Sequence, residues 1–366
     1  MESLSSKYLM WVFILLLVQI CGCKGCIEEE KMGLLEFKAF LKLNNEHADF
    51  LLSSWIDNNT SECCNWERVI CNPTTGRVKK LFLNDISRQQ NFLEDDWYNY
   101  ENVKFWLLNV SLFLPFEELH HLNLSANSFH GFIENEGFKG LSSLKKLEIL
   151  DISELASLRN LEVLDLSYND LESFQLLQDS KSLSIFKKLE TLNLNYNKFK
   201  NTSLQQLNIF TSLKNLFLRW NKFEGFFPIQ ELCTLENLVM LDLSGNFFIG
   251  MQDFASLSNL EVLDLSDNSF SGILPSSIRL LSSLKSLSLA RNYLNGSLPN
   301  QDFASLSNLE LLDLSYNSFS GIVPSSIRLL SSLKSLSLAG NHLNGSLANQ
   351  DALVISDLEI SKLSTM

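Results

Sequence analysis

Asparagine recurs along this chain at a spacing that limits the folds open to it. Nine asparagines each end a leucine-rich segment, and from Asn197 onward they follow one another at nearly constant intervals. The interval, about 20–25 residues, is typical of solenoids, in which each repeat contacts its neighbours and cannot bury its apolar side chains alone. These ladder asparagines are Asn127, Asn169, Asn197, Asn221, Asn246, Asn268, Asn292, Asn317 and Asn341.

The residues around each ladder asparagine predict two buried rows. Leucines spaced as in Leu260, Leu263 and Leu265 would point inward from a short strand and stack on those of adjacent coils. The asparagine amide can donate to and accept from backbone groups that would otherwise be buried unpaired. Two residues further on stands a large apolar side chain, which predicts the second row: Phe199, Phe223, Phe248, Phe270, Leu294, Phe319 and Leu343.

The full pattern, LxxLxLxxNxFxGxxP, resembles the plant-type extracellular leucine-rich repeats of receptor-like proteins, receptor kinases and secreted polygalacturonase inhibitors, over roughly residues 26–349. The segments at 63–71 and 112–119 are most similar to receptor-like proteins that lack a kinase. The resemblance implies an α/β fold, a curved right-handed solenoid with short parallel strands on its concave face. Loops and short 3-10 turns would lie on the convex face, behind an N-terminal, disulfide-bonded helical cap.

Four segments are predicted: a signal peptide at 1–25, a cap at 26–76, about eleven repeats at 77–349, and a non-repeat tail at 350–366. The apolar run at 8–20 has the length and flanks of a secretory signal, whereas a membrane span needs about 20 apolar residues. The repeats are irregular at 84–118 and 141–160. In the second stretch, strand motifs at Leu150 and Leu164 stand little more than half a period apart, which we interpret as a coil without its convex half.

The tail is expected to cover the end of the solenoid poorly or to be disordered. Residues 351–363 carry neither a ladder asparagine nor a cysteine. The resembling family usually continues through more repeats, a C-terminal cysteine cap and a transmembrane helix. A truncated form of such a receptor is therefore the expectation for the chain as written.

Cysteine usage predicts disulfides and no metal site. Cys26, Cys63, Cys64 and Cys71 form an even set in a secreted context, which allows three pairings into two disulfides. The family resemblance implies Cys26 with Cys63, and Cys64 with Cys71. A cluster of Cys21, Cys23 and Cys26 resembles a ligand set, but the first two stand at the expected cleavage zone. Cys233 is interpreted as a small buried hydrophobe.

Charge and motif content predict a non-enzyme without cofactor or metal. The net charge of −13 argues against nucleic acid or an anionic membrane as the main partner. The five histidines have no metal-ligand spacing, and no phosphate-binding loop, kinase or dinucleotide motif is present. Glycosylation sequons fit a secreted solenoid. They begin at Asn58, Asn59, Asn109, Asn123, Asn201, Asn295 and Asn344.

Four side chains are the candidate ligand contacts: Tyr168, Tyr196, Arg219 and Trp220. They occupy predicted exposed strand positions of three successive coils, where most other repeats carry Ser, Asp or Gly. Aromatic residues with arginine are typical of binding hot spots, and ordinary surface scatter is the alternative. The acidic, aromatic stretch at 89–100 is either a binding loop or part of an enlarged second coil.

Two coils of the chain are duplicated. Residues 252–300 and 301–349 align without gaps and differ at six positions, three of which flank a ladder asparagine. Ligand-facing variation and chance both account for such changes. The three pairs are Asp267 and Tyr316, Arg291 and Gly340, and Tyr293 and His342.

The family resemblance implies the extracellular ligand-recognition module of a plant receptor-like protein. Such a module would bind a peptide, glycan or pathogen-derived protein on its concave face and signal through a partner kinase, at the plasma membrane or in the apoplast. One alternative is a secreted inhibitor of microbial wall-degrading enzymes, similar to polygalacturonase inhibitors. The other is a truncated decoy with no signalling role.

Overall fold

A computed structural model describes residues 26–45, 47–58, 61–86, 106–133, 149–151, 159–175, 186–251, 254–299, 303–344 and 359–361. The predicted signal peptide at 1–25, the acidic, aromatic stretch at 89–100 and the sequon at Asn59 lie outside the described residues.

Short strands and short helical segments recur along the described chain. Its α-helices are α1 (Glu28–Asn44), α2 (Ala48–Leu51) and α3 (Ile229–Leu232). None of these is long and apolar enough to cross a membrane. Turns of 3-10 helix lie at Cys63–Asn65, Val110–Phe113, Asn201–Ile209, Ala255–Leu257, Ser276–Leu280, Phe303–Ser305 and Ser325–Leu329.

The strands, in chain order, are β1 (Val69–Cys71), β2 (Val78–Phe82), β3 (Trp106–Asn109), β4 (His121–Asn123), β5 (Phe129–Ile133), β6 (Ile149–Asp151), β7 (Val163–Asp165), β8 (Ser173–Gln175), β9 (Thr191–Asn193), β10 (Asn215–Phe217), β11 (Glu224–Phe226), β12 (Met240–Asp242), β13 (Phe247–Gly250), β14 (Val262–Asp264), β15 (Ser271–Gly272), β16 (Ser286–Ser288), β17 (Tyr293–Ser297), β18 (Leu311–Asp313), β19 (Ser318–Ile322), β20 (Ser335–Ser337), β21 (His342–Asn344) and β22 (Glu359–Ser361).

One long sheet, which we call the main sheet, lines the concave face. It begins with β1, which pairs antiparallel with β2, and continues through eleven parallel strands in the order β2, β4, β7, β9, β10, β12, β14, β16, β18, β20 and β22. The middle leucines of successive strands pair directly, as in Leu263 with Leu287, and these leucines are fully buried. The predicted curved right-handed solenoid with a shared leucine row is confirmed.

Two coils are much longer than the period. In the main sheet Lys80 pairs with His121, and His121 pairs with Val163, so each of these coils is well over half as long again as the later ones. Leu150 therefore does not join the leucine row: β6 pairs instead with β8, outside the main sheet. The strand motif at 149–151 is misleading because little more than half a period is too short for the chain to travel around a coil and return as a neighbouring strand.

The segment after each ladder asparagine forms a second set of short parallel strands, which we call the flank sheet. It contains β11 paired with β13, and β15, β17, β19 and β21 in that order. Its inward side carries the predicted phenylalanine row. The rings of Phe223, Phe248 and Phe270 are buried and stack nearly parallel, with centroids 6.2 and 6.0 Å apart. The second buried row is therefore confirmed.

The main sheet continues into the predicted non-repeat tail. Strand β22 pairs in parallel with β20, so that Ile360 stands opposite Leu336, one period later. The backbone of this tail segment thus follows the repeat even though the ladder asparagine is missing from it. The sequence reasoning overlooked it because it required the complete motif.

The N-terminal cap is built around α1, which buries Leu34, Phe37 and Leu41. The ring of Trp55 lies 6.5 Å from that of Phe37 and covers the same end of the core. Disulfides join Cys26 to Cys63 and Cys64 to Cys71, each with a Cα–Cα distance of 5.4 Å, as the family resemblance implied. Their sulfurs are thereby removed from any metal-ligand role.

Cys233 does not fit its interpretation as a buried hydrophobe. It follows the last residue of α3, is half-buried, and its Sγ donates to the carbonyl oxygen of Gln230 at 3.1 Å. The preceding residue, Leu232, is the one that enters the core.

A buried carboxyl joins the cap to the first repeat. Glu30 of α1 has no exposed surface, and its Oε2 accepts a hydrogen bond from the backbone N–H of Val78 at 2.7 Å. Its Oε1 has no hydrogen-bond partner among the described residues and lies 3.7 Å from Nη1 of Arg77. Burial raises the pKa of Glu30 to about 7, and the bond from Val78 and the charge of Arg77 only partly oppose that shift.

We expect this carboxyl to make the protein lose stability as the pH rises from 4.5 to about 7. Because its pKa is raised on folding, the folded state binds more protons than the unfolded state in that interval. The stabilisation is complete below the unfolded pKa and is lost as the pH passes the folded one, by about 3 kcal/mol in all. Urea unfolding at pH 5 and pH 8, followed by tryptophan fluorescence, measures it.

Glu30→Gln should flatten this dependence, because glutamine stays neutral at both pH values. Glu36→Gln is the matched control, since Glu36 is an exposed glutamate of the same helix. An unfolding midpoint that shifts equally with pH in Glu30→Gln and in Glu36→Gln would contradict the assignment.

Candidate functional site

The residue before each ladder asparagine forms a continuous line beside the main sheet, three residues beyond the last residue of each strand. The prediction that the candidate contacts occupy strand positions is therefore wrong. We call this line the pre-asparagine column: Ala126, Tyr168, Tyr196, Trp220, Gly245, Asp267, Arg291, Tyr316 and Gly340. Each of these residues has a φ between 51° and 67°, whatever its side chain. A left-handed backbone suits glycine and is uncommon for bulky residues. The repeat therefore imposes the conformation, and an aromatic residue at this position needs a reason other than backbone preference.

Three aromatic side chains of the column stack on one another. The rings of Tyr168 and Tyr196 are 4.2 Å apart at an interplanar angle of 12°, and those of Tyr196 and Trp220 are 6.3 Å apart at 15°. Tyr168 is 55 % exposed and Trp220 is 47 % exposed. Partial burial, together with a hydrogen bond to the Tyr196 hydroxyl, raises the pKa of Tyr168. The two contacts cover the ring faces that meet within the stack.

A glycine makes room for the end of this stack. A Cβ atom on Gly245 would lie 2.7 Å from the Trp220 ring, so the indole rests directly on the glycine backbone. The same arrangement recurs further along the column, where a Cβ on Gly340 would lie 2.7 Å from Cδ1 of Tyr316. The role of the two glycines in making this room was not predicted, although a glycine one coil after an aromatic residue in the same column was the available signal.

Arg219 lies next to the column in sequence but in a different environment. Most other coils have a small, buried residue at its position, as at Ser167, Ser244 and Ala290. Arg219 is half-buried there, and its Nε is shielded without a hydrogen-bond partner among the described residues. Burial raises the pKa of Asp242, and the bonds from Ser244 and the charge of Arg219 oppose that shift. Arg219 thus places a positive charge near Asp242 and near Tyr168 of the aromatic stack.

The column has a second group of contacts in the duplicated coils. Nε of Arg291 lies 3.8 Å from Oδ1 of Asp267, and its guanidinium carbon lies 4.9 Å from the centre of the Tyr316 ring. Two of the differences between the duplicates therefore involve residues that contact each other in adjacent coils. One copy has Asp267 followed by Arg291, which attract each other, and the other has Tyr316 followed by Gly340, which leaves room for the ring. Contact between adjacent coils accounts for both changes.

Three lysine–glutamate pairs join successive coils beside the strands of the main sheet. Lys214 with Glu190, Lys285 with Glu261, and Lys334 with Glu310 form ion pairs of 2.6 to 2.7 Å. Exposed pairs of this kind contribute little to stability.

The two neighbouring histidines have separate surroundings. Nδ1 of His120 lies 2.9 Å from Oε1 of Glu162. His121 packs against the ring of Phe82 at 5.0 Å, and burial lowers its pKa.

The asparagines of the sequons differ in the hydrogen bonds that their side chains make. Asn123 lies on β4 of the concave face and its Oδ1 accepts from Ser125, and Asn109 accepts from Ser111 in the same way. Asn201 exchanges two hydrogen bonds with the backbone of Glu224, of 2.7 and 3.0 Å. Three further sequon residues are exposed: Asn58, Asn295 and Asn344.

The cap, the two stacked rows and the parallel sheet define a leucine-rich repeat protein. Family models agree: the leucine rich repeat N-terminal domain matches residues 27–72, and leucine rich repeat models match residues 160–183, 236–294 and 296–343. The chain belongs to this family of proteins.

Within that family, the relatives are plant receptor-like proteins. The chain is 36 % identical over 243 residues to receptor-like protein 8 of Arabidopsis thaliana, and 34 % identical over 246 residues to receptor-like protein 21 of the same plant. Each match covers 66 % of this chain. The matches span only 18 % and 19 % of the relatives, so the chain corresponds to about a fifth of their length.

Among solved structures, the chain is similar to the Arabidopsis receptor kinase HAESA, crystallised with the peptide hormone IDA and the co-receptor SERK1. The TM-score is 0.66 at 27 % identity, and the match covers 87 % of this chain and 46 % of that one.

Proposed function

We propose that this chain is the extracellular ligand-recognition part of a plant receptor-like protein, and that Tyr168, Tyr196, Arg219 and Trp220 contact the ligand. The observation that carries the proposal is the exposed aromatic stack at left-handed backbone positions of three successive coils. Large aromatic side chains held rigidly in partly exposed positions supply contact area at a low entropic cost. The charge of Arg219 near them adds a donor for an acceptor group of the ligand.

A peptide or protein segment is the ligand class that this geometry favours over a glycan. Sugars commonly bind aromatic side chains through an exposed ring face, and here both faces of Tyr196 meet a neighbouring ring and Trp220 lies between Tyr196 and Gly245. Ring edges, two tyrosine hydroxyls and a guanidinium suit backbone carbonyls and carboxylates instead. The similarity to HAESA, which was crystallised with a peptide hormone, supports the same class.

Signalling through a partner kinase at the plasma membrane forms part of the proposal. The relatives are receptor-like proteins, and HAESA was crystallised with a co-receptor. Because the chain corresponds to about a fifth of those relatives, the activity and partners of the whole receptor are inferred from them.

The site can be tested with a random linear peptide library displayed on phage. Peptides enriched on the secreted chain would be measured by calorimetry against the wild type, against the double variant Tyr196→Ala with Trp220→Ala, and against Phe247→Ala. We expect the double variant to bind at least about tenfold more weakly, because aromatic hot spots contribute about 1–2 kcal/mol or more each.

Phe247 is the control because it is an exposed aromatic residue of the flank sheet and is not a member of the column. Its replacement should leave binding unchanged. Equal affinities for the wild type and the folded double variant would contradict the site, and enrichment of no peptide would contradict the ligand class.

A further inference from the structure

Strand β17 of the flank sheet carries a sequon beside an exposed aromatic side chain. Side chains alternate along a strand, so Leu294 points into the core, whereas Tyr293 and Asn295 share the outward face. Tyr293 is 65 % exposed, and the side-chain amide of Asn295 makes no hydrogen bond to any described residue. Residues two apart on a strand stand about 7 Å from each other. A substituent on Asn295 would therefore begin next to the tyrosine ring.

The neighbouring strands leave space for such a substituent. Ser271 stands opposite Tyr293 on one side, and Ser318 stands opposite Asn295 on the other, and both are small. The side chain of Ile273 lies across Gly296, because a Cβ on that glycine would be 2.9 Å from Cγ2 of the isoleucine. Ile273 is 73 % exposed. Tyr293 and Ile273 are thus two exposed apolar side chains near the asparagine, and we call them the apolar platform.

We infer that Asn295 carries an N-linked glycan whose first N-acetylglucosamine packs on Tyr293 and Ile273. A pyranose ring has one face rich in C–H groups, which associates with the electron-rich face of an aromatic ring. The glycan thereby covers apolar side chains that the flank sheet otherwise exposes to water. This packing explains why a tyrosine and an isoleucine occupy exposed positions that contribute nothing to the protein core.

The modification is a group transfer from a lipid-linked oligosaccharide diphosphate of the secretory pathway. Nδ2 of Asn295 forms a bond to the anomeric carbon of the first sugar, and the bond from that carbon to the diphosphate oxygen breaks. The amide loses one proton and the lipid diphosphate leaves. Ser297 completes the sequon, as its hydroxyl residue.

The duplicated coils provide an internal comparison. Asn344 is the counterpart of Asn295, and Ile322 is the counterpart of Ile273 and is 76 % exposed. His342 replaces Tyr293 in that copy. Asn344 thus has the same sequon on the same face of the sheet without the tyrosine.

The test uses the full chain secreted from cells that make only high-mannose glycans. Glycopeptide mass spectrometry measures occupancy at Asn295. An endoglycosidase that leaves the first sugar and an amidase that removes it are then compared by hydrogen exchange over residues 293–297. We expect occupancy at Asn295, unchanged exchange after the first enzyme, and exchange about fivefold faster after the second.

Tyr293→Ser should abolish the difference between the two enzymes, and His342→Tyr should create one at residues 342–344. Asn295→Gln controls for effects of the other glycans, and in that background the two enzymes should give equal exchange at 293–297. An unmodified Asn295 in the secreted chain would overturn the inference. So would an exchange difference of equal size in Tyr293→Ser and in the wild type.

Discussion

Replacing Phe248 by alanine should destabilise the protein by about 3–5 kcal/mol. The side chain has no exposed surface and its ring lies between those of Phe223 and Phe270, at interplanar angles of 3° and 13°. Its backbone N–H donates to Oδ1 of Asn268 at 3.1 Å, and the main sheet fixes the distance between the coils on either side. The walls of the cavity cannot move together to fill it, so the cost should fall at the upper end of the range for such changes.

The adjacent residue supplies the control. Phe247 points outward from the same strand and is 57 % exposed, so Phe247→Ala should cost less than about 1 kcal/mol. Urea unfolding followed by circular dichroism measures both variants. Similar losses at the two positions would show that the phenylalanine row does not carry the stability that its packing implies.

The repeat was predictable because its side chains alternate with a fixed register. Leu263 and Leu287, one period apart in the chain, pair directly in the sheet, so the period in the sequence is also the period in space. The motif at Leu150 failed for a related reason. Strand pairing depends on whether the chain between two motifs can form a coil, and the local residues around 150 do not contain that information.

The candidate site was predictable in position but not in geometry. Tyr168, Tyr196 and Trp220 share one position relative to the ladder asparagine, so the period alone brings them into one line. Their stacking depends on ring orientation, on the left-handed backbone and on the space left by Gly245, which emerge only in three dimensions. Arg219 was predicted to be exposed, and it is half-buried. The small residues at its position in other coils indicate a confined position, but they do not show how an arginine would fit there.

Replacing Asn246 by alanine should also cost about 3–5 kcal/mol. Its Nδ2 donates to the carbonyl oxygens of Leu218 and Leu243 at 3.0 Å each, and its Oδ1 accepts from the backbone N–H of Phe223 at 3.2 Å. Asn246 is 4 % exposed, so water cannot replace these bonds after the amide is removed. Leaving a buried donor or acceptor unpaired costs about 1–3 kcal/mol for each group. Urea unfolding at neutral pH measures the loss.

Asn259→Ala is the matched control, and its outcome bears on why asparagine is the most regular residue of the chain. Asn259 also joins two coils, through Nδ2 to the carbonyl oxygen of Glu236 at 2.9 Å, but it is exposed and water can take its place. A loss below about 1 kcal/mol is expected there. If Asn246→Ala cost no more than Asn259→Ala, the recurrence would need another cause.

The first coil supports hydrogen bonding as that cause. In this coil Ile86 occupies the position of the ladder asparagine. No earlier repeat is present there whose carbonyl oxygen an asparagine could bind. The carbonyl oxygen of Leu83 instead accepts from Nδ2 of Asn127, in the next coil, at 2.6 Å. Each ladder asparagine therefore serves the coil before it as well as its own. Among the main-sheet coils from β2 to β20, the residue is replaced only in the first, which has no preceding repeat to serve. That is the pattern expected if buried backbone groups dictate where asparagine recurs.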